Sequence, residues 1–379
     1  MSWLLLNDIP KLLLHDGWYF SSGSDENLYY AISQSIALGH PRVTSVAMGQ
    51  PFVMAVLVWL TGRLEYRGVL PWLVIWQGFI LASLSVWVMA HLSYELTRNR
   101  GQALASAFTW TFSAYLLWLV LGLHSQAEVL RSAYVARQLW MNGLTDPPSL
   151  FLTMLGLLIV LKGIHESPQS QRRDTLLFMG GLTLGLAATF RIQTGAMTGV
   201  LLLALLWNRQ WRGLALTSAG LVAGFSPQLW YSAAVNGNIL NMPYLSNWIG
   251  FDPTGRFYFT GQGIQFSLQF LVDNLILITR GSWAMALLEI AVAVAGIYLF
   301  LNCRRQHGSF VAMIMFGVPL ASLGLHVITF VFAIDPIRFA LPALSMGTPA
   351  GVWTLFFAAS KLQTKIVSWR SVLDAKGTL

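Results

Sequence analysis

Residues 180–207 read GGLTLGLAATFRIQTGAMTGVLLLALLW, and this stretch decides the class of fold. Two apolar runs, near 175–190 and 192–207, flank one charged residue, Arg191. Each run approaches the ~20 residues that an α-helix needs to cross a bilayer. A single arginine between two such runs predicts two consecutive membrane helices, with Arg191 in the turn that joins them.

The rest of the chain repeats this pattern. Of its 379 residues, 55% are hydrophobic and only 10% are charged, whereas soluble globular proteins carry about 25% charged residues. The apolar runs are continuous rather than alternating, which excludes a transmembrane barrel. The sequence therefore predicts an all-α, polytopic transmembrane helical bundle of about 10–11 spans. The runs lie near 46–61, 69–90, 103–123, 147–163, 175–190, 192–207, 213–235, 283–302, 309–333 and 337–360, with a shorter one at 264–279.

The net charge of +8 reflects where the basic residues stand between the spans. Short connections rich in Lys and Arg lie on the cytoplasmic side of membrane proteins, so the charge does not indicate a nucleic-acid partner. The connections of this kind are 162–173, 208–212, 302–306 and the tail from Lys361. Alternation then assigns the opposite, outer side to the turn 144–148, Arg191, the loop 236–282 and residues 335–338.

The first half of the chain does not satisfy this alternation. If residues 21–45 face outward and 46–61 crosses inward, residues 97–100 (TRNR) lie outside. Spans 103–123 and 147–163 would then both run inward. Two consecutive spans must run in opposite directions, so the number of membrane crossings in this half differs by one from what alternation requires. Two explanations stay open: an early helix is re-entrant, or the amphipathic stretch 126–142 (QAEVLRSAYVARQLWMN) enters the membrane.

Three regions follow from this pattern. Residues 1–45 are interfacial and outer-loop helices, 46–360 are the transmembrane domain with the long outer loop 236–282, and 361–379 are a polar cytoplasmic tail expected to fray. Long loops between packed spans usually bind or cover something, so a functional site is expected on the outer side. The expected location is the bacterial inner membrane, as an integral multi-pass protein.

An acidic pair opens the first outer segment, SSGSDENLYYAISQSIALGH (21–40). Residues 25–38 predict an amphipathic helix that ends at Gly39. A preceding serine caps its start, which places Asp25 and Glu26 in the first turn, where the helix dipole favours anions. The predicted apolar face consists of Leu28, Ala31, Ile32 and Ile36.

Five stretches, taken in order, resemble the GT-C superfamily of polytopic glycosyltransferases, including the types that transfer mannose from dolichyl phosphate to proteins and those that transfer aminoarabinose. They are SDENLYYAISQSIALGHP with the following GQPFVMAVLVWL, GLTDPPSLFLTMLGLLIVL (143–161), GGLTLGLAATFRIQTGAMTGVLLLALLW (180–207), GFSPQLWYSAAVNGNILNMPY (224–244) and DPIRFALPAL (335–344). The family's usual first span, before the acidic loop, has no counterpart here. The run WLLLNDIPKLLL (3–14) is interrupted by polar residues and is expected to be an interfacial helix.

The resemblance implies transfer of a sugar from a polyprenyl-phosphate carrier to an acceptor on the outer side. Its catalytic carboxylate corresponds to Asp25, with Glu26 as the close competitor, and acts as a general base on the acceptor. Arginines hold the departing phosphate, because their planar fork donates two hydrogen bonds. The candidate phosphate ligands are Arg191, Arg338, Arg256 and Arg280, and Tyr244 and Trp248 in the outer loop are the candidate contacts of the sugar.

No metal site is predicted, because the seven histidines lack the spacing of metal ligands. No cofactor is required either, although some members of the family bridge carboxylate and phosphate with a divalent cation. The expected partners are the lipid-linked sugar donor, membrane lipids and protein subunits of a membrane complex.

Four further features of the sequence carry a structural or functional prediction. Asp146 is most simply the N-terminal cap of a helix, whereas Glu289, inside an apolar run, is a candidate for function. His326 is expected to be a packing residue. The Gly181–Gly185 and Gly195–Gly199 spacings predict close contact between helices.

Three functions stay open at this point. The first is the glycosyltransferase. The second is a GT-C-fold protein that has lost catalysis and serves as a subunit or scaffold of a larger complex, which the missing first span favours. The third is a transporter of lipids or solutes, for which Glu289 and His326 are the supporting residues.

Overall fold

The computed structural model of the chain describes residues 25–42, 46–113, 145–239, 248–251, 257–260, 272, 283–329 and 336–377. The apolar runs form helices with one short hairpin, which confirms the helical membrane fold. The elements are α1 Asp25–Ala37, α2 Gly49–Thr61, α3 Tyr66–Leu73, a π-helical segment Val74–Leu81, α4 Ala82–Thr97, α5 Arg100–Thr111, α6 Asp146–His165, α7 Gln171–Phe190, α8 Thr194–Trp207, α9 Trp211–Ala234, β1 Trp248–Phe251, β2 Phe257–Thr260, α10 Trp283–Ala312, a π-helical segment Met313–Gly317, α11 Val318–Thr329 and α12 Pro336–Gly377.

Three helical stretches in the described part are long and apolar enough to cross a membrane: Gly68–Thr97, Asp146–His165 and Ile290–Leu325. The last of these turns back on itself at Gly308, whose φ is +88°. The rings of Phe300 and Phe316 meet edge to face, 6.3 Å apart, across this turn. The stretch is therefore two antiparallel helices, as the runs 283–302 and 309–333 predicted.

The basic turns gather at one end of the bundle. His165 Nδ1 lies 3.0 Å from a carboxylate oxygen of Glu95 and also contacts the guanidinium of Arg98. Ser309 Oγ donates to Asn208 Oδ1 at 2.6 Å. We call this end, formed by residues 95–100, 162–174, 207–212 and 302–309, the basic end. The opposite end, where α6 begins and α7 ends, is called the Arg191 end.

The expectation that residues 97–100 lie on the other side is wrong, because Arg98 belongs to the basic end. The reason is the direction of α2. Gln77, twenty residues before Thr97, pairs with Gln50 at the start of α2, so both glutamines lie about 30 Å from the basic end. From there α2 and α3 extend together beyond the Arg191 end. Helix α2 has 13 residues and begins at the Arg191 end, and the stretch 126–142 lies outside the described residues.

Helices α7 and α9 pack backbone against backbone. A Cβ atom on Gly181 would lie 2.1 Å from the carbonyl oxygen of Thr217, and one on Gly185 would lie 2.2 Å from that of Leu221. The predicted close contact is confirmed for Gly181–Gly185. At Gly195 and Gly199 no described atom lies within 4 Å of an added Cβ, so the described part of the chain shows no such contact there.

Two features of the second half were not expected. In the outer loop, β1 pairs with β2 in an antiparallel hairpin, with Trp248 opposite Thr260 and Phe251 opposite Phe257. Aromatic and β-branched residues favour strands, and the intervening Asp-Pro-Thr-Gly favours a turn. The tail from Lys361 is helical rather than frayed, because α12 continues to Gly377.

Candidate functional site at the Arg191 end

Asp146 and Arg191 form a buried ion pair. Asp146 is the first residue of α6 and is fully buried, and Arg191, directly after α7, is 5% exposed. Arg191 leaves the helical conformation (φ −148°, ψ 103°), while its backbone N–H still donates to the Ala187 carbonyl at 3.1 Å. The interpretation of Asp146 as the N-terminal cap is wrong, because Thr145 holds the cap position and the Asp146 carboxylate pairs with a buried guanidinium.

The hairpin of α6 and α7 brings the pair together. Both helices have 20 residues, so the start of α6 lies beside the end of α7. Glycines hold them close: a Cβ on Gly156 would lie 2.7 Å from the Leu184 side chain, and one on Gly180 would lie 2.5 Å from that of Val160.

Buried glutamines surround the same end. Gln77 Nε2 donates to Gln50 Oε1 at 3.2 Å, and the backbone N–H of Met48 donates to Gln228 Oε1 at 2.9 Å. A Cβ on Gly49 would lie 2.8 Å from the backbone nitrogen of Phe190. These contacts join the start of α2 to the residue before Arg191. These glutamines were not predicted as site residues. A single amide inside an apolar run nevertheless indicates a hydrogen-bonded contact between helices, since a buried amide needs partners.

Helix α1 carries the acidic pair at its start and ends where the sequence predicted. Gly39 has φ +77°, its N–H donates to the Ile36 carbonyl at 3.0 Å, and the N–H of His40 donates to the Ser35 carbonyl at 2.8 Å. This is the Schellman arrangement, in which glycine adopts the left-handed conformation at the helix end. The predicted stop at Gly39 is confirmed.

The predicted apolar face of α1 is wrong by about a third of a turn. Tyr29 and Ser33 are buried together with Ile32, whereas Leu28 and Ala31 are exposed. Tyrosine rings offer more apolar surface than Leu or Ala, and small Ser33 permits a close approach. Aromatic packing therefore decides which side faces α2.

The described hydrogen bonds from α1 to α2 and the chain after it lie far from Arg191. The Tyr30 hydroxyl donates to the Arg63 carbonyl at 3.4 Å, and the Gln34 amide donates to the Leu64 carbonyl. Both acceptors follow α2, whereas Gly49 at its start contacts Phe190, and the 13 residues of α2 separate these ends by about 18 Å. Burial raises the pKa of the Tyr30 hydroxyl to about 12.

Arg191 is the only candidate site residue whose side chain belongs to the described part of the chain. Asp25 and Glu26 begin α1, Trp248 begins β1 and Arg338 lies in α12, but their side chains are outside it, as are those of Glu289 in α10 and His326 in α11. Tyr244, Arg256 and Arg280 lie outside the described residues altogether. The roles assigned to these residues stay predictions.

Among the described residues, no group of three or more His, Cys, Asp or Glu side chains is placed to hold a metal ion. The Asp146 carboxylate is engaged by Arg191, so a divalent cation there would compete with a guanidinium for the same oxygens.

No family model and no curated protein matches the sequence. The fold is similar to the crystal structure of the Archaeoglobus fulgidus oligosaccharyltransferase in the apo form, with a TM-score of 0.50 and 11% sequence identity. The similarity covers 96% of this chain, and the chain spans about half, 51%, of that enzyme's length. The chain therefore shares the fold of this membrane protein over about half of that protein's length.

Proposed function

We propose that this protein is a membrane glycosyltransferase that transfers a sugar from a polyprenyl-phosphate carrier to an acceptor on the extracytoplasmic side of a bacterial inner membrane. The observation that carries the proposal is the buried Asp146–Arg191 pair in a helix turn of a GT-C-like fold. Ionisable residues at membrane depth are costly, and they commonly mark substrate sites.

In the proposed reaction the acceptor hydroxyl attacks the anomeric carbon of the sugar, and the bond from that carbon to the phosphate oxygen breaks. A carboxylate, Asp25 or Glu26, takes the proton of the acceptor as general base. The polyprenyl phosphate leaves with the bonding electrons, and its developing negative charge is stabilised by arginines. The candidates are Arg191, Arg338, Arg256 and Arg280, with Tyr244 and Trp248 against the sugar.

The ion pair has a specific part in this scheme. A guanidinium carries five N–H donors in a fixed plane, so it can bridge a carboxylate and a phosphate oxygen. The Asp146 carboxylate holds the guanidinium of Arg191 in one orientation, while the turn after α7 sets its depth. Asp146 is then a positioning residue, and Arg191 is the group that contacts the leaving phosphate.

The test uses membranes that contain the full chain, supplied with polyprenyl-phosphate mannose or polyprenyl-phosphate aminoarabinose. The measurement is the release of free polyprenyl phosphate. We expect Asp25→Asn or Glu26→Gln to reduce release at least ~100-fold, since general-base catalysis contributes that much. Glu95→Gln, which removes a carboxylate at the basic end, is the matched control and should keep the wild-type rate. Wild-type rates in both Asp25→Asn and Glu26→Gln would end the proposal.

A second function is favoured by the burial of Arg191. At 5% exposure, and already paired with Asp146, this arginine also suits a GT-C-fold subunit that braces a larger membrane complex without catalysing transfer. Such a subunit would co-purify with other proteins from gently solubilised membranes, and those membranes would release no polyprenyl phosphate above the background of cells that lack the chain.

A further inference from the structure

Arg173, in the first turn of α7 at the basic end, is a buried cation without an acidic partner in the described part of the chain. It is 7% exposed, and its Nη2 donates to Gln210 Oε1, a neutral acceptor, at 2.6 Å. Its Nε has no hydrogen-bond partner among the described residues. A buried guanidinium without a counter-charge is costly, so this position is suited to an anion.

The helices around Arg173 add to the positive potential. The contacts of Gly181 with Thr217 and of Gly185 with Leu221 advance in the same direction along both chains, so α7 and α9 run parallel. Their N-termini therefore lie side by side at the basic end, and each N-terminus carries a partial positive charge. Gln210 is the residue before α9, and its side chain makes no capping hydrogen bond to that helix. Arg173 thus lies at a second helix N-terminus.

The neighbouring charges do not cancel this potential. Asp174 pairs with Arg212, and Glu166 lies 3.3 Å from Arg172. Within the first turn of α7 and the turn 207–212, Arg173 and Arg209 have no carboxylate partner among the described residues. Arg209 is exposed and has φ +56°, a left-handed conformation that costs about 1–2 kcal/mol for a residue other than glycine.

The surface beside these arginines is apolar. Trp207 and Trp211, which flank the turn, are 69% and 62% exposed, and α8 also exposes Leu203 and Leu206. Tryptophan prefers the headgroup level of a membrane, and exposed leucines suit acyl chains. The surface therefore combines a cationic turn with an apolar strip.

We propose that the turn 207–212 and the first turn of α7 bind the phosphate head group of an anionic membrane lipid. The lipid phosphate lies between the two helix N-termini, where the guanidinium groups of Arg173 and Arg209 donate to its oxygens. Its acyl chains follow Leu203, Leu206 and Trp207 along α8. This site is separate from the proposed transferase site, which lies at the other end of α7.

The test measures lipid binding by the full purified chain with native mass spectrometry. Phosphatidylglycerol and phosphatidylcholine with the same acyl chains are added at equal concentration, and inorganic phosphate is added in a third series as competitor. We expect phosphatidylglycerol to be retained in preference to phosphatidylcholine. Arg173→Gln and Arg209→Gln should each weaken its retention about fivefold, the effect of one arginine near an anionic surface.

Arg100→Gln is the control, since it removes an equal charge from the basic end outside the site. It should retain phosphatidylglycerol as the wild type does. Equal retention of the two lipids would overturn the proposal, and so would equal losses in all three variants. Displacement of the lipid by inorganic phosphate would mean a soluble phosphate rather than a lipid. If Arg173→Gln does not fold, the exposed Arg209→Gln decides the outcome, and no result depends on glycosyl transfer.

Discussion

The two ends of α7 each bury an arginine, but only one of the two arginines has a carboxylate partner among the described residues. At the end of the helix, Arg191 is buried and matched by the buried carboxylate of Asp146. At its start, Arg173 is equally buried, but its described partner is the neutral amide of Gln210. Burial of an arginine therefore does not by itself define its role. In a matched pair the carboxylate offsets the charge and fixes the orientation of the guanidinium, whereas an unmatched guanidinium keeps its full charge.

Both ends depend on the same packing. Glycines of α7 lie against α6 on one side and against α9 on the other, and they set which residues meet at each end. A change in the ion pair should therefore alter stability, and a change in the glycine contacts should alter both ends together. Three predictions test this comparison, in order of decreasing effect.

Removing the carboxylate at the matched end should have the largest effect. Asp146→Asn leaves Arg191 buried without its counter-charge, which typically costs about 3–5 kcal/mol. We expect the purified variant to melt well below the wild type in detergent. In the double variant with Asp146→Leu and Arg191→Met, most of this loss should be recovered, because replacing both charges with apolar groups is often nearly neutral. An Asp146→Asn protein with the wild-type melting temperature would contradict the pairing.

The second-largest loss of stability is expected when the close contact between α7 and α9 is disrupted. In Gly224→Ala the new Cβ would lie 2.0 Å from the carbonyl oxygen of Leu182, which is backbone and cannot rotate away. Overpacking of this kind costs about 1–3 kcal/mol, measured as a lower midpoint of thermal unfolding.

The matched control is Gly199→Ala, since no described atom lies within 4 Å of a Cβ added there. Alanine favours helix over glycine by up to about 1 kcal/mol, so this variant should melt at the wild-type temperature or above it. If both alanine variants behave alike, the close approach of α7 and α9 is not present in the protein.

The smallest effect is expected for Tyr30, in the α1–α2 pair beyond the Arg191 end. Burial raises the pKa of its hydroxyl from 10.0 to about 12, so the folded state resists loss of this proton. The resulting contribution to stability is fully present below pH 10 and is lost as the pH rises toward 12. The loss should amount to at most about 1.4 kcal/mol per pH unit.

Comparison with Tyr30→Phe isolates this contribution, because phenylalanine cannot ionise. Melting temperatures of the two proteins, measured from pH 9 to pH 12, should show a steeper decline for the wild type above pH 10. Parallel curves would mean that the Tyr30 hydroxyl is accessible to water.

Much of the fold could be predicted from the sequence. The described helices lie on the apolar runs, although α12 continues 17 residues beyond the run 337–360. The stop at Gly39 and the close contact at Gly181–Gly185 were foreseen. The errors concern which surfaces touch. The face of α1 was chosen from leucine and alanine although tyrosines pack there. The contacts of the start of α2 with Gln77 and Phe190 were not foreseen.

The candidate site was less predictable. Arg191 was singled out because one charge between two apolar runs is conspicuous, but its partner Asp146 was interpreted as a cap. The buried glutamines of the Arg191 end were not foreseen, and neither was the lack of a carboxylate partner for Arg173 among the described residues. Each of these depends on contacts between residues that are tens of positions apart in the chain.

The sequence by itself determined that this chain is a helical membrane protein with basic turns at one end, because a bilayer demands about 20 consecutive apolar residues for each crossing helix and sorts charged connections by side. Only the tertiary structure decided which arginine is neutralised and which is not. The physical reason is that the electrostatic energy of a buried charge depends on its neighbours within a few ångströms, and those neighbours come from other helices.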